Sequence, residues 1–271
     1  MTRLAGVIGD PISHSRSPRL HGHWLRRYGI DGHYIPLHVR PDDLEQTLHL
    51  LPRLGFSGIN VTIPHKEAVY RLATTRTDRA MAVEAANTLT FQDGHIHADN
   101  TDGVGFLSNL SQGHPTWNWS GRALILGAGG AARGIISALI EAGLSQITVS
   151  NRTQSKAQAL ADLFPANVSV HPWESIEDAL SGHDLLVNTT ALGMAGQPPL
   201  DLSLQGLDPA CLVTDIIYTP LETPLLRAAR ARGNPVVDGL GMLLHQAVPG
   251  FETWFGRRPE VDDDLRGVML K

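Results

Sequence analysis

The chain has 271 residues, 42% hydrophobic and 18% charged, which is a globular composition with room for one large domain or, as read here, two ordinary ones. Lys and Arg number 22 against 27 Asp and Glu, a net charge of −5 with no basic run to follow a phosphate backbone, which argues against a nucleic-acid partner. Gly, Asp and Pro break the opening MTRLAGVIGDPISHS too early for a signal peptide, and no apolar stretch is long enough to span a bilayer, so a cytoplasmic protein without membrane contact is expected. A lone cysteine, Cys211, allows no intrachain disulfide and no cysteine-built metal site, and its apolar setting predicts a buried strand position.

In chain order, short apolar runs at 4–9, 33–39, 58–63 and 87–91 alternate with helical spacing over Pro18–Tyr28, Pro41–Leu54 and Pro64–Leu72, each helix opening on a proline whose missing N–H is unpaired there anyway. Such βα alternation predicts a mostly parallel sheet. The aperiodic, Trp-bearing stretch 111–121 separates this series from a second one, and a boundary is expected near it. From Arg122 a strand, a glycine-rich turn, an apolar helix and the strand 146–150 make a βαβ unit, followed by strands at 168–171, 184–188, 212–217 and 235–238. The tail from Gly239 is helical again and is expected to pack back on the first domain.

Gly127-Ala128-Gly129-Gly130-Ala131-Ala132 follows a strand and opens a helix, the context in which G-x-G-x-x-[GA] binds a dinucleotide. The glycines let the backbone approach a pyrophosphate, and the helix N-terminus offers free N–H groups to it. A tight turn without ligand is the bland alternative. At the end of the next strand, an acidic residue would favour NAD by accepting from the ribose 2′-OH. Here Asn151-Arg152-Thr153 with Lys156 provides cations and donors for a 2′-phosphate, which favours NADP unless Arg152 and Lys156 are solvated surface charges.

Ser13, Ser15 and Ser17 lie between a strand and a Pro-started helix, a setting suited to a carboxylate, although Ser17 could equally be an N-cap. Alternation over Asn60-Val61-Thr62 sends Asn60 and Thr62 to one face, both read as substrate-binding, and the helix that follows carries Lys66 in its first turn. A cation there opposes the helix dipole, which marks Lys66 as a candidate proton-transferring amine. Asp102 is either a second acid/base candidate or an N-cap for 103–110. Cofactor loop and acid/base pair are thus expected in separate domains facing one cleft.

The order GDPISHSRSP, NVTIPHKE, ANTL, DNTDGVGF, LGAGGAARG, NRT, NTTALGM, DIIYTPLETPLL and GLGMLLHQA, spread from the first strand to the final helix, resembles the shikimate dehydrogenases. The resemblance implies an α/β fold of two domains. An N-terminal substrate domain takes residues 1–102 and 240–271, the C-terminal helices returning to it, and a Rossmann-like NADP domain takes 103–239. It implies NADPH-linked interconversion of 3-dehydroshikimate and shikimate, within chorismate and aromatic amino acid biosynthesis, by a monomer or homodimer. Ser15 and Ser17 would hold the shikimate carboxylate, joined by Tyr218, with Thr62, Asn87, Asp102 and Gln246 around the ring hydroxyls. Lys66 would be the proton donor and acceptor, coupled to Asp102. Residues 127–131 (Gly127, Ala128, Gly129, Gly130, Ala131) and 151–156 would bind NADP, with Asp78, Ile216 and Gly239 near it.

Two positions depart from the family's habit: His21 is followed by Gly22 rather than Asn, and Glu84-Ala85-Ala86 replaces Gly-Ala-Val before Asn87. They leave room for a shifted preference such as quinate, whereas Ser15, Ser17 and Arg152 argue for shikimate with NADP. A sensor that binds NADP and a ring acid without turnover is the rival from another class, opposed by the intact Lys66 and Asp102. Thirteen histidines invite a metal reading, but His21-x-His23 and His95-x-His97 offer only pairs without a third ligand, and no metal is expected.

Overall fold

A computed structural model, which describes residues 2–117 and 119–271, resolves the alternation into two compact units: 1–102 with 244–271, and 103–243. The first begins with β1 (Arg3–Gly9), α1 (Ser17–Arg27), β2 (Gly32–His38), α2 (Leu44–Leu50), β3 (Phe56–Val61), α3 (Lys66–Leu72), β4 (Thr75–Arg76), α4 (Asp78–Val83), β5 (Thr88–Gln92) and β6 (His95–Asp99). Its sheet runs β2-β1-β3-β5-β6-β4. Only part of it is parallel, because β3 meets β5, and β5 meets β6, antiparallel. The cause is local. Asp93 and Gly94 both take positive φ, as a two-residue hairpin turn requires. The helix expected over 41–54 is also shorter. Pro52 has no N–H to continue α2, and short 3-10 turns, Pro41–Asp43 and Pro52–Leu54, flank it instead.

Asp102, the last residue of this segment, is also the first of α5 (Asp102–Gly113). The second unit continues with β7 (Arg122–Leu126), α6 (Gly130–Glu141), β8 (Gln146–Ser150), α7 (Gln154–Leu163), β9 (Val168–Val170), β10 (Leu185–Asn188), β11 (Leu212–Asp215), α8 (Pro224–Ala231) and β12 (Val236–Val237). All pairings are parallel in the order β12-β11-β10-β7-β8-β9. Burial on both faces explains why its central strands read as unbroken apolar runs: Ile125, Val187 and Leu212 face a layer with Ile135, Leu139, Phe106 and Leu110, while Leu124, Leu186 and Val213 face Leu225, Leu226 and Cys211. Cys211 is buried just ahead of β11, and burial pushes its thiol up to about 12. Trp117 and Trp119 meet edge to face at 4.8 Å and pack against the first of these layers.

From Leu244 the chain rejoins the first unit through α9 (Leu240–Gln246), α10 (Val248–Phe255) and α11 (Asp263–Leu270). Trp254 seats α10: its Nε1 donates to the Leu89 carbonyl at 3.2 Å, and its indole occupies the space where a β-carbon at Gly58 would lie. Asp262 caps α11 by accepting from the Leu265 N–H at 3.0 Å. Among the described residues, no helix is long and apolar enough to cross a membrane.

Candidate active site

In the first unit the expected substrate residues gather at the carboxyl ends of β1 and β3 and the starts of α1 and α3. The loop after β1 is tied to the strand end on β3, Asp10 N–H donating to the Ile63 carbonyl and Thr62 N–H to that of Ile8. Ser15 Oγ accepts from the Ser17 N–H at 3.3 Å. Ser17 is not the N-cap: it is the first residue of α1, and Arg16 holds the cap position without a side-chain capping bond of its own.

Lys66 opens α3 and is half-buried; its Nζ donates to Asp102 Oδ2 at 2.6 Å. Asp102 is buried in the first turn of α5, where the dipole favours a carboxylate. Its carboxylate is spent on neighbours rather than on its own helix. Oδ1 accepts from Asn87 Nδ2 at 2.8 Å, and the Asp102 N–H donates to Asn100 Oδ1 at 3.1 Å. Asn87 Nδ2 also donates to Gln246 Oε1 at 3.1 Å, while Asn87 Oδ1 accepts from the Thr101 N–H at 2.9 Å. Thr101 Oγ1 in turn donates to the Gln246 carbonyl at 2.8 Å. Asn60 is buried and donates from Nδ2 to the Asn87 carbonyl and to Thr88 Oγ1, both at 3.2 Å. Asn60, Lys66, Asn87, Asp102 and Gln246 thus form one bonded set. The charge-assisted Lys66–Asp102 contact is its strongest member.

The second unit carries the glycine turn. Gly127 has φ +108, which only glycine adopts readily, and a β-carbon there would stand 2.5 Å from Thr189 Oγ1. Gly129, extended at φ −92, caps α6 without a side-chain bond, and around Gly129 and Gly130 a β-carbon would meet nothing within 4 Å. That is an open cradle of backbone at a helix N-terminus, the geometry that receives a pyrophosphate. A pocket of roughly 390 Å³ extends from it, lined by Gly127, Ala128 and Gly129, by Asn151, Arg152, Thr153 and Lys156, and by Trp173, Thr189, Thr190, Ala191, Leu192, Gln197 and Pro198. It opens where the strand order reverses between β7 and β10, the position at which doubly wound sheets bind ligands.

Thr190 is held there by a relay missed in the sequence. Its N–H and hydroxyl donate to Asn188 Oδ1 at 3.0 and 2.7 Å, and Asn188 Nδ2 donates to Asp215, which also accepts from Thr223 and the Ile217 N–H. Burial pushes the Asp215 carboxyl up, and those donors act in the opposite sense. The signal was available, since Thr189 and Thr190 follow a parallel strand beside the glycine loop. Gly130, Ala131, Ile216 and Gly239 do not line the pocket; Gly239 lies against the Ile216 backbone. Tyr218 is half-buried beyond β11, and Asp78 is exposed at the start of α4 in the first unit. No group of three His, Cys, Asp or Glu that could hold a metal occurs among the described residues.

Comparison with known proteins matches this arrangement segment by segment. Residues 7–89 match the family model described as the shikimate dehydrogenase substrate binding domain, 115–194 that of shikimate/quinate 5-dehydrogenase, and 239–266 that of the shikimate 5′-dehydrogenase C-terminal domain. A Jannaschia protein named shikimate dehydrogenase (NADP(+)) is 59% identical over 269 residues, covering 98% of this chain and 97% of that one. The chain belongs to the shikimate dehydrogenase family. Among solved structures of the family, shikimate 5-dehydrogenase from Thermus thermophilus in complex with NADP(H) and shikimate superposes with a TM-score of 0.86 at 34% identity, covering 100% of this chain and 98% of that one. Quinate dehydrogenase from Corynebacterium glutamicum in complex with NAD reaches 0.92 at 32% identity, covering 99% of each chain. The two-domain α/β architecture of the family, a substrate-binding domain and a Rossmann-like NAD(P) domain, is the one described above.

Proposed function

We propose that this chain is an oxidoreductase that reversibly reduces 3-dehydroshikimate to shikimate with NADPH, in the pathway to chorismate and the aromatic amino acids. The observation that carries the reading is the Lys66 Nζ to Asp102 Oδ2 contact of 2.6 Å, set in a network that also holds Asn87 and Gln246. In this reading the first unit is the substrate domain and the second the NADP domain. Ser15 and Ser17 receive the carboxylate with Tyr218, and Asn60, Thr62, Asn87, Asp102 and Gln246 surround the ring.

Residues Gly127 to Ala131 take the pyrophosphate on open backbone. Asn151, Arg152, Thr153 and Lys156 surround the 2′-phosphate, the guanidinium through charge-assisted bonds, and Asp78, Ile216 and Gly239 stand near the cofactor. The bound nicotinamide supplies the hydride. Lys66 gives a proton to the ketone oxygen as it becomes a hydroxyl, and takes one back in the reverse direction. Asp102 aims the amine through their hydrogen bond of 2.6 Å, and offers its remaining lone pairs to a ring hydroxyl. The enzyme is proposed to act in the cytoplasm on this small molecule, without nucleic acid or membrane, and a homodimer is the assembly to test for.

The test is the appearance of reduced nicotinamide when purified protein meets shikimate or quinate, each with NADP or NAD. Rapid reduction with shikimate and NADP is expected. A clear preference for quinate with NAD, in line with the Corynebacterium glutamicum likeness, would move the substrate assignment; silence with all four pairs, in protein that binds NADP, would favour a sensor.

A further inference from the structure

Asp215 closes β11 and is wholly buried, yet it takes no part in the proton transfer given to Lys66. Four donor contacts converge on its carboxylate. Oδ1 accepts from the Ile217 N–H at 3.0 Å, Oδ2 accepts from Thr223 Oγ1 at 2.8 Å, and Asn188 Nδ2 donates to both oxygens at 3.1 Å. Each of these contacts brings a hydrogen to the carboxylate, so Asp215 is held as an acceptor. Burying such a group is costly unless donors meet it. Here they come from three places: Asn188 ends β10, Ile217 follows β11, and Thr223 caps α8.

The polarity set at Asp215 passes on to the cofactor pocket. With its amide nitrogen engaged by Asp215, Asn188 has Oδ1 left for Thr190, and it accepts the Thr190 N–H at 3.0 Å and the hydroxyl at 2.7 Å. Asn188 Nδ2 also donates to the Leu192 carbonyl at 3.2 Å, and the Leu192 N–H donates to Thr190 Oγ1 at 3.1 Å. The turn 188–192 is thereby closed on itself. Its residues Thr190, Ala191 and Leu192 line the pocket that begins at the glycine turn. With its proton spent on Asn188, the Thr190 hydroxyl meets a ligand there as an acceptor, suited to a hydroxyl or amide hydrogen of a dinucleotide.

We propose that Asp215 is a positioning residue for the dinucleotide: acting through Asn188, it fixes the place and the polarity of the Thr190 hydroxyl in the cofactor pocket. The proposal rests on the NADP reading of that pocket. Asp215 is not itself part of the lining, so its influence runs through the relay.

The test reverses the two ends of that relay. Asp215→Asn sets a donor against Asn188 Nδ2, and the Asn188 amide relieves the clash only by turning over, which leaves the Thr190 N–H and hydroxyl facing a donor. The dissociation constant for NADP should rise about tenfold, or ~1.4 kcal/mol. That for NAD should rise equally, since Thr190 follows β10 and the groups read as holding the 2′-phosphate follow β8, on the other side of β7. The KM for shikimate at saturating NADP should stay within about twofold, because all of its expected contacts except Tyr218 lie in the first unit. Adding Asn188→Asp gives both Thr190 donors and the new amide an acceptor again, and should recover most of the lost NADP affinity. A role in folding alone would make the two substitutions add, since Asn188→Asp by itself opposes two buried carboxylates. Thr190→Val, which leaves the buried relay in place, should cost NADP a similar factor. Unchanged NADP affinity in Asp215→Asn or in Thr190→Val, or no recovery in the double variant, would overturn the proposal. Wild-type protein that fails to bind NADP would sink the cofactor reading itself, whereas normal binding by wild type and by Asp215→Asn would sink only the role of Asp215.

Discussion

The two candidate sites are built in opposite ways. In the first unit the polar groups are buried side chains bonded to one another, Asn60, Asn87, Thr101 and Asp102 among them, so each fixes the orientation of the next. In the second unit the site is mostly backbone and missing atoms: an uncapped helix start, a glycine at φ +108, and exposed Arg152, Thr153 and Lys156 at the rim. Removing a group should therefore damage the first site most, and adding an atom the second.

That contrast can be broken in several places. Asp102→Ala should have the largest effect: it strips Lys66 and Asn87 of their shared acceptor, and turnover should drop by about three orders of magnitude, with NADP titration unchanged. Gly127→Val should do the reverse. A β-carbon meets Thr189 in a backbone conformation that valine resists, and NADP affinity should fall by tenfold or more with a loss of roughly 1–3 kcal/mol in stability, while isothermal titration still detects shikimate. Arg152→Gln should raise the KM for NADP by roughly 10- to 100-fold, the range expected for charge-assisted bonds, and leave that for NAD nearly untouched. Equal losses with both cofactors would contradict the assignment of Arg152 to the 2′-phosphate.

The smallest effect concerns pH and the buried His21, whose ring stacks on that of Tyr34 with centroids 3.8 Å apart. Burial holds His21 neutral, its pKa lowered to about 3 from 6.5, and neither ring nitrogen has a partner among the described residues. Between those values the unfolded chain binds a proton that the folded chain refuses, so stability falls as pH drops from about 6.5 toward 3, by at most ~1.4 kcal/mol per pH unit from this group. His21→Phe should flatten that part of the denaturation profile; an unchanged slope would mean His21 is not the group responsible.

Much of this was legible in the residues because the signals are local. The parallel strands of the second unit read as apolar runs, and the glycine turn lay between a strand and a helix. Less legible was whatever depends on distant partners. The β5–β6 hairpin did carry its Asp93-Gly94 turn, but β6, HIHAD, lacks an apolar run of its own. Ser17 is the first residue of α1 rather than its cap, and its N–H goes to Ser15 Oγ, two residues earlier. Tyr34 looks like any strand aromatic, since Asn60, to which its hydroxyl donates, lies 26 positions after it. The Asp215 relay likewise joins the ends of two strands and a helix cap, a proximity created by the sheet.

The most direct measurement is turnover and NADP binding on the same preparation of Lys66→Ala. The account predicts that NADPH formation from shikimate drops by orders of magnitude while NADP binds with wild-type affinity; turnover close to wild type would contradict the role given to Lys66 and the division of labour between the two sites.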